Sequence, residues 1–195
     1  MVTTERGARL VTTAVPGIAA SDLDSATLLR AWPGLVGVLR GLHELPAADC
    51  PFERTLGRMF RIAEDVVRRA AVIPEFLAED QQGRPHPELL AELRAQLDER
   101  LDEERADLVV CHGDACLPNV MVDPGTLACT GLIDLGRLGT ADRHADLALL
   151  RANARETWDG DDGAHAERLL PELYGHAIDP ARLRFYHHLD PLTWS

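Results

Sequence analysis

Residues 107–146 read DLVVCHGDACLPNVMVDPGTLACTGLIDLGRLGTADRHAD, short apolar strands that end in loops crowded with polar and acidic residues. The first loop supplies His112, Asp114 and Asn119. The second supplies Asp134 and Arg137, with Asp142 and Asp146 following at the start of an expected helix. Asp123-Pro124-Gly125 predicts a hairpin turn between the two strands. Asp and Asn are also ordinary turn formers at strand ends, and in either loop alone that role competes with a chemical one. Taken together, HGDxxxxN, strand, hairpin, strand and IDxGR make an order that turn formation alone does not require.

A carboxylate five residues before a carboxamide, with a second carboxylate after the next strand, is the set that magnesium-dependent phosphoryl transfer needs. One acid accepts the proton of a substrate hydroxyl, while the Asn and the other acid hold the metal ions that bridge the phosphates.

Upstream, Ala8–Val15 carries the β-branched residues of a strand that Pro16-Gly17 ends, and Glu5-Arg6-Gly7 reads as a hairpin turn from an earlier strand at Val2-Thr3-Thr4. Ser21 or Asp22 is expected to cap a short helix, and Pro33 to sit in the first turn of a second, since inside a helix it costs around 3 kcal/mol. Leu35, Val38, Leu39 and Leu42 line that second helix. Gly34, Gly37 and Gly41 weaken it, so packing, such as close helix contact, has to compensate. Residues 53–72 and 87–104 show helical spacing of apolar side chains, and the charged run LDEERAD at 101–107 reads as a solvated face. Helices are expected over 141–156, 164–174 and 180–189. The fold class is therefore α+β, mainly helical, with a small β-hairpin at the chemistry.

A chain of 195 residues with 46% hydrophobic content is long enough for one domain with a real core. With 32 acidic against 20 basic residues, the formal charge of −12 argues against nucleic acid and anionic membranes as partners and favours polycationic small molecules. No apolar run approaches the roughly 20 residues that cross a bilayer, and the N-terminus has no hydrophobic signal core, so a cytoplasmic protein is expected. Cys50, Cys111, Cys116 and Cys129 form no CxxC pair and read as packed thiols of a reducing compartment. His187-His188 reads as the polar side of a helix rather than a metal site.

HGDACLPNVMVD followed by GLIDLGRLGTADRHADLALL resembles the aminoglycoside 3′-phosphotransferases, the kanamycin and neomycin kinases of antibiotic resistance, which share the protein-kinase-like fold. VPG at 15–17, LRGLHEL at 39–45, CPFER at 50–54, the acidic loop ending QG at 82–83 and RFYHHLD at 184–190 extend the likeness to nearly the whole chain. The resemblance implies transfer of the γ-phosphoryl of ATP to the 3′-hydroxyl of an aminoglycoside, with ATP and Mg2+ as cofactors. It makes Asp114 the catalytic base or hydroxyl-orienting residue, Asn119 and Asp134 the magnesium ligands, and His112 and Gly113 the shapers of the catalytic loop. Glu79 or Asp80, and Asp190, match acids that grip the ammonium groups of the drug. Arg137 either braces the site or contacts substrate, or simply pairs with a nearby Asp.

Departures from the family pattern qualify this expectation. Pro191 stands where the family more often has an acid after the matched Asp, and Asn153 where some members have one. The chain has no GxGxxG and no Lys on an early strand, so the phosphate-covering small lobe is expected to be missing. In this reading residues 1–17 are a remnant of the small-lobe strands and hinge, with Thr13, Ala14 and Val15 meeting the adenine, and 18–195 are the large helical C-terminal lobe. Two other readings stay open: a catalytically inactive large-lobe fragment, and a kinase of the same fold for another small-molecule alcohol.

Overall fold

The computed structural model describes residues 2–4, 7–9, 12–158 and 160–195. The chain opens on an antiparallel pair, β1 (Val2–Thr4) and β2 (Gly7–Arg9); the expected turn residues Glu5 and Arg6 lie outside the described residues. Of the strand expected over Ala8–Val15, β2 covers the part to Arg9, residues 10 and 11 lie outside the described residues, and residues 12–16 belong to no strand. The next strand, β3 (Ile18–Ala19), starts only after Gly17.

Asp24, rather than Ser21 or Asp22, caps the first long helix, α1 (Ser25–His43), accepting from the Thr27 amide at 2.8 Å. Pro33 lies inside α1 and not in its first turn. Proline removes the hydrogen bond to the carbonyl four residues earlier. Leu28, Ala31, Trp32, Leu35, Val36 and Leu39 nevertheless form one buried stripe across it, while Pro33 itself faces solvent. Burial worth about 1.5–3 kcal/mol for each large side chain outweighs the roughly 3 kcal/mol that a helical proline costs. The close helix contact expected at the glycines is not found, since an added Cβ at Gly37 or Gly41 would meet nothing within 4 Å.

The segment 53–72 is helical only over α2 (Leu56–Arg68), which buries Met59, Phe60, Ala63 and Val66. The single helix expected over 87–104 is two, α3 (His86–Arg94) and α4 (Leu97–Ala106), broken at Ala95-Gln96. The break re-aims α4. Instead of a fully solvated face, α4 turns Arg100 and Glu104 inward, and the Glu104 carboxylate accepts from the Leu56 amide at the start of α2 at 2.7 Å.

Two small sheets then carry the polar loops. β4 (Leu108–Cys111) leads into the first, and β5 (Val120–Val122) and β6 (Cys129–Leu132) form the expected hairpin, with β3 on the outer edge of β5. Asp123 accepts from the amides of Gly125 and Thr126 at 2.9 and 2.8 Å and so shapes the hairpin turn. β7 (Gly139–Asp142) was expected to be helix in part; it pairs antiparallel with β4 from Leu108↔Asp142 to Cys111↔Gly139. Residues 52–54 flank it, with Thr140 donating to Phe52 O and accepting from Arg54 N at 3.0 and 3.1 Å.

The chain closes with α5 (Arg143–Thr157), α6 (Asp162–Tyr174) and α7 (Pro180–Leu189). α1 packs on α6 and α5 on α7 around one apolar core. Trp32 is its largest buried side chain, donating to Ala166 O at 3.2 Å and meeting Trp158 edge-on. All four cysteines are free thiols, only Cys111 fully buried. Among the described residues no helix is long and apolar enough to cross a membrane.

Candidate active site

The β4–β7 ladder and the β5–β6 hairpin deliver both polar loops to the same end of the helical body. At the end of β4 the carboxylate of Asp146, fully buried in α5, accepts from the amides of His112 and Gly113 at 2.6 and 2.8 Å. His43 of α1 reaches the same carboxylate through Nε2 at 3.2 Å, and its Nδ1 meets the Tyr174 hydroxyl at 2.6 Å. Burial alone would raise the carboxyl pKa of Asp146, but the His43 contact and the two amides hold it below the usual value. A buried anion therefore clamps the backbone of the loop that carries Asp114.

The His112 ring ties the two loops together. Its Nδ1 accepts from the Asp114 amide at 3.2 Å, which leaves Nε2 as the protonated nitrogen, donating to Ile133 O at 2.9 Å. Gly113 has φ +82°, and a Cβ there would lie 2.1 Å from Arg137 O, so only glycine lets the loops approach this closely.

The sequence-expected trio is brought together in part by direct bonds. Asn119 Nδ2 donates to the Asp114 carbonyl at 3.0 Å and to its carboxylate at 2.8 Å. Asn119 O accepts from Ile133 N at 3.0 Å, immediately before Asp134. Asp134 sits in the left-handed region at φ 57°, ψ 54°, exposed, with no side-chain partner among the described residues. Because Asn119 spends its amide nitrogen on Asp114, its Oδ1 stays available. That oxygen and the Asp134 carboxylate are the hard donors that suit Mg2+.

Asp114 opens onto a cleft of about 970 Å³ walled by α5, α7, the 75–80 loop and the C-terminal turn. The acids expected to meet a cationic substrate differ here. Asp190 is engaged: Arg54 and Arg137 reach it at 3.3 and 3.2 Å, and the Trp194 indole donates to it at 2.9 Å. Asp80 pairs with Arg184 at 2.8 Å and with His188 at 3.0 Å. Glu79 lines the cleft with no side-chain partner among the described residues, as does Glu75; Glu156 meets only Asn153 at 3.3 Å. Of the roles expected for Arg137, the one seen is the pairing with a nearby Asp, Asp190, with the Trp194 ring 4.0 Å from its guanidinium. Burial and the neighbouring Arg137 charge push Arg54 down to about 10.

Asn153 accepts from the Leu117 amide at 2.9 Å and so ties α5 to the loop between Asp114 and Asn119. The expected hinge residues Thr13 and Ala14 are exposed, and Val15 lies over Gly131 of β6, where a Cβ would be 2.8 Å from its Cγ1. His187 and His188 are half-buried in the cleft wall instead of on a solvated face. Sequence reasoning missed His43, Arg54, Tyr174 and Trp194, and named Asp146 without a role. LRGLHEL and CPFER marked two of these positions without showing what they touch.

A small-molecule phosphotransferase of protein-kinase-like fold is the class that this fold and loop geometry define, and the phosphotransferase enzyme family matches residues 3–186. The chain belongs to the aminoglycoside phosphotransferases within it. Streptomycin 3″-kinase of Streptomyces griseus is 56% identical over 192 residues, covering 98% of this chain and 71% of that protein. Aminoglycoside 3′-phosphotransferase of Streptomyces fradiae is 41% identical over 203 residues, covering 95% and 70%. The structure of aminoglycoside phosphotransferase APH(3″)-Id from Streptomyces rimosus in complex with ADP and streptomycin superposes with a TM-score of 0.90 at 53% identity, over 93% of this chain and 69% of that one.

Proposed function

We propose that this chain is the catalytic body of a kinase that transfers the γ-phosphoryl of ATP to a hydroxyl of streptomycin or a related aminoglycoside. The observation that carries the reading is the Asp114 carboxylate, fixed by Asn119 and opening on a cleft with unpaired acids. In it, Asp114 orients the substrate hydroxyl and accepts its proton as the oxygen attacks phosphorus. Asn119 Oδ1 and Asp134 hold Mg2+, which when bound neutralises charge on the phosphates. Glu79, Glu75 and Glu156 receive the substrate cations, since charge-assisted hydrogen bonds to carboxylates reward polycations over neutral sugars. Asp80 and Asp190 shape that surface through their ion pairs. Thr13–Val15 would border the adenine.

The relatives favour the 3″-hydroxyl of streptomycin over the 3′-hydroxyl of kanamycin or neomycin expected from sequence. The test incubates this chain, and a version extended upstream, with ATP, Mg2+ and either streptomycin or kanamycin, and reads the added phosphate by mass and its position by NMR. A 3″-phosphate on streptomycin is expected. Phosphate on kanamycin alone would restore the 3′ assignment, and transfer to neither by either protein would remove the kinase reading.

A further inference from the structure

The cleft carries an exposed aromatic wall that phosphoryl transfer leaves unused. Phe76 is 52% exposed, and its ring meets that of Trp194 edge-on, with centroids 5.9 Å apart. Both line the cleft into which Asp114 opens.

The presentation is rigid. Gln82 Nε2 donates to Pro74 O and Leu77 O at 2.9 and 2.8 Å, and buried Gln81 donates to His188 O at 3.1 Å, so the loop is sewn to itself and to α7. On the other side, Trp194 is fixed by its bond to Asp190 and by the Arg137 guanidinium over its ring. An apolar ring held half in solvent by this many bonds is poised for a ligand. Glu75 and Glu79, whose carboxylates have no partner among the described residues, lie one and three residues from Phe76 in the same loop and line the same cleft.

The geometry points to a seat for a guanidinium group, formed by the Phe76–Trp194 wall with the Glu75 and Glu79 carboxylates. A planar, weakly hydrated guanidinium stacks on a ring while its edge donates two parallel bonds to a carboxylate. A compact, strongly hydrated ammonium satisfies the carboxylate but gains less from the ring. The wall is thus a specificity device for guanidino-substituted aminocyclitols over amino-substituted ones. This inference rests on the aminoglycoside reading of the cleft and deepens it.

Equilibrium binding separates the two claims, because it needs no phosphoryl transfer. Streptidine and 2-deoxystreptamine are cyclitols that each carry two cations, guanidinium in the first and ammonium in the second. Calorimetric titration of the full chain is expected to show streptidine bound about tenfold more tightly, within the range that cation stacking supplies. Phe76→Leu keeps apolar bulk but loses the ring face and should bring that ratio close to one; Trp194→Leu should lower it independently. Phe76 is exposed and outside the core, so its substitution leaves the fold in place, and circular dichroism of both variants checks this. Equal affinity for the two cyclitols, no measurable streptidine binding, or an unchanged ratio in folded Phe76→Leu overturns the seat. A retained ratio with no phosphoryl transfer would sink the kinase reading and leave the seat standing.

Discussion

The two polar loops of the site are held by opposite means. In the loop after β4, the amides of His112, Gly113 and Asp114 all donate to side chains of the protein, and the Asp146 anion beneath them is fully buried. The loop after β6 leaves Asp134 exposed, in a left-handed conformation, without a side-chain partner among the described residues. The difference suits the roles proposed for the two residues. A base that takes a proton from a substrate hydroxyl gains from being fixed before the substrate arrives. A metal ligand gains from keeping its lone pairs uncommitted.

The largest effect should come from the fixed loop itself. Asp114→Asn preserves shape and can still meet Asn119, but it cannot take up the proton. Turnover of the upstream-extended protein is expected to fall by about 10²–10⁴-fold, the usual contribution of a positioned base. The thermal midpoint should stay within a degree or two of the parent. Comparable turnover would show that Asp114 does not serve as the base.

Under that loop, Asp146→Ala tests whether the buried anion is the clamp. It removes the acceptor of two backbone amides and strands His43, so unfolding free energy in urea should drop by about 3 kcal/mol. The sign with pH follows from its depressed pKa: the contribution is present above the ordinary carboxylate range and is lost as pH falls through the lower folded value. A loss below about 1 kcal/mol would mean that the loop is held by His112 alone.

Glu104 is the opposite electrostatic case within the same body. Burial raises its carboxyl to about 7, against the lowering effect of the Leu56 amide. The folded state therefore holds this proton more tightly than the unfolded state. Its contribution to stability is greatest below the ordinary carboxyl pKa and declines as pH rises toward about 7. Glu104→Gln keeps an acceptor for Leu56 without the charge. Relative to the parent, it should gain on the order of 2 kcal/mol between pH 5 and pH 8. Parallel stability curves for the two proteins would locate the titration elsewhere.

What was legible in the sequence divides along similar lines. The strand-end loops that carry Asp114, Asn119 and Asp134 could be read because strand-end spacing is a local property, and α7 because Pro180 marks its first turn. The clamp could not be read, since Asp146 lies 34 residues from the amide of His112 and 103 from His43, and no local pattern reports such pairings. Pro33 misled because a local cost was weighed without the buried stripe that spans it. The break between α3 and α4 was hidden by leucines that keep helical spacing while Glu104 turns toward α2. Asp80 and Asp190 were legible as acids, but their Arg and His partners decide how much of that charge a substrate meets.

The exposed loop supplies the smallest and most discriminating change. A left-handed residue other than glycine carries a backbone penalty that Asp tolerates but does not escape. Because Asp134 offers the fold no side-chain bond in return, Asp134→Gly should raise unfolding free energy by about 0.5 kcal/mol while abolishing a ligand for Mg2+. Opposite signs are the point: a residue kept for folding cannot be removed with a gain in stability and a loss of metal affinity together. Chemical denaturation and titration with Mn2+, followed by electron paramagnetic resonance in place of Mg2+, read the two quantities separately. If Asp134→Gly destabilised the chain and bound Mn2+ as well as the parent, Asp134 would be a turn former of the ordinary kind, and the contrast between a fixed base and an uncommitted metal ligand would fail at its second member.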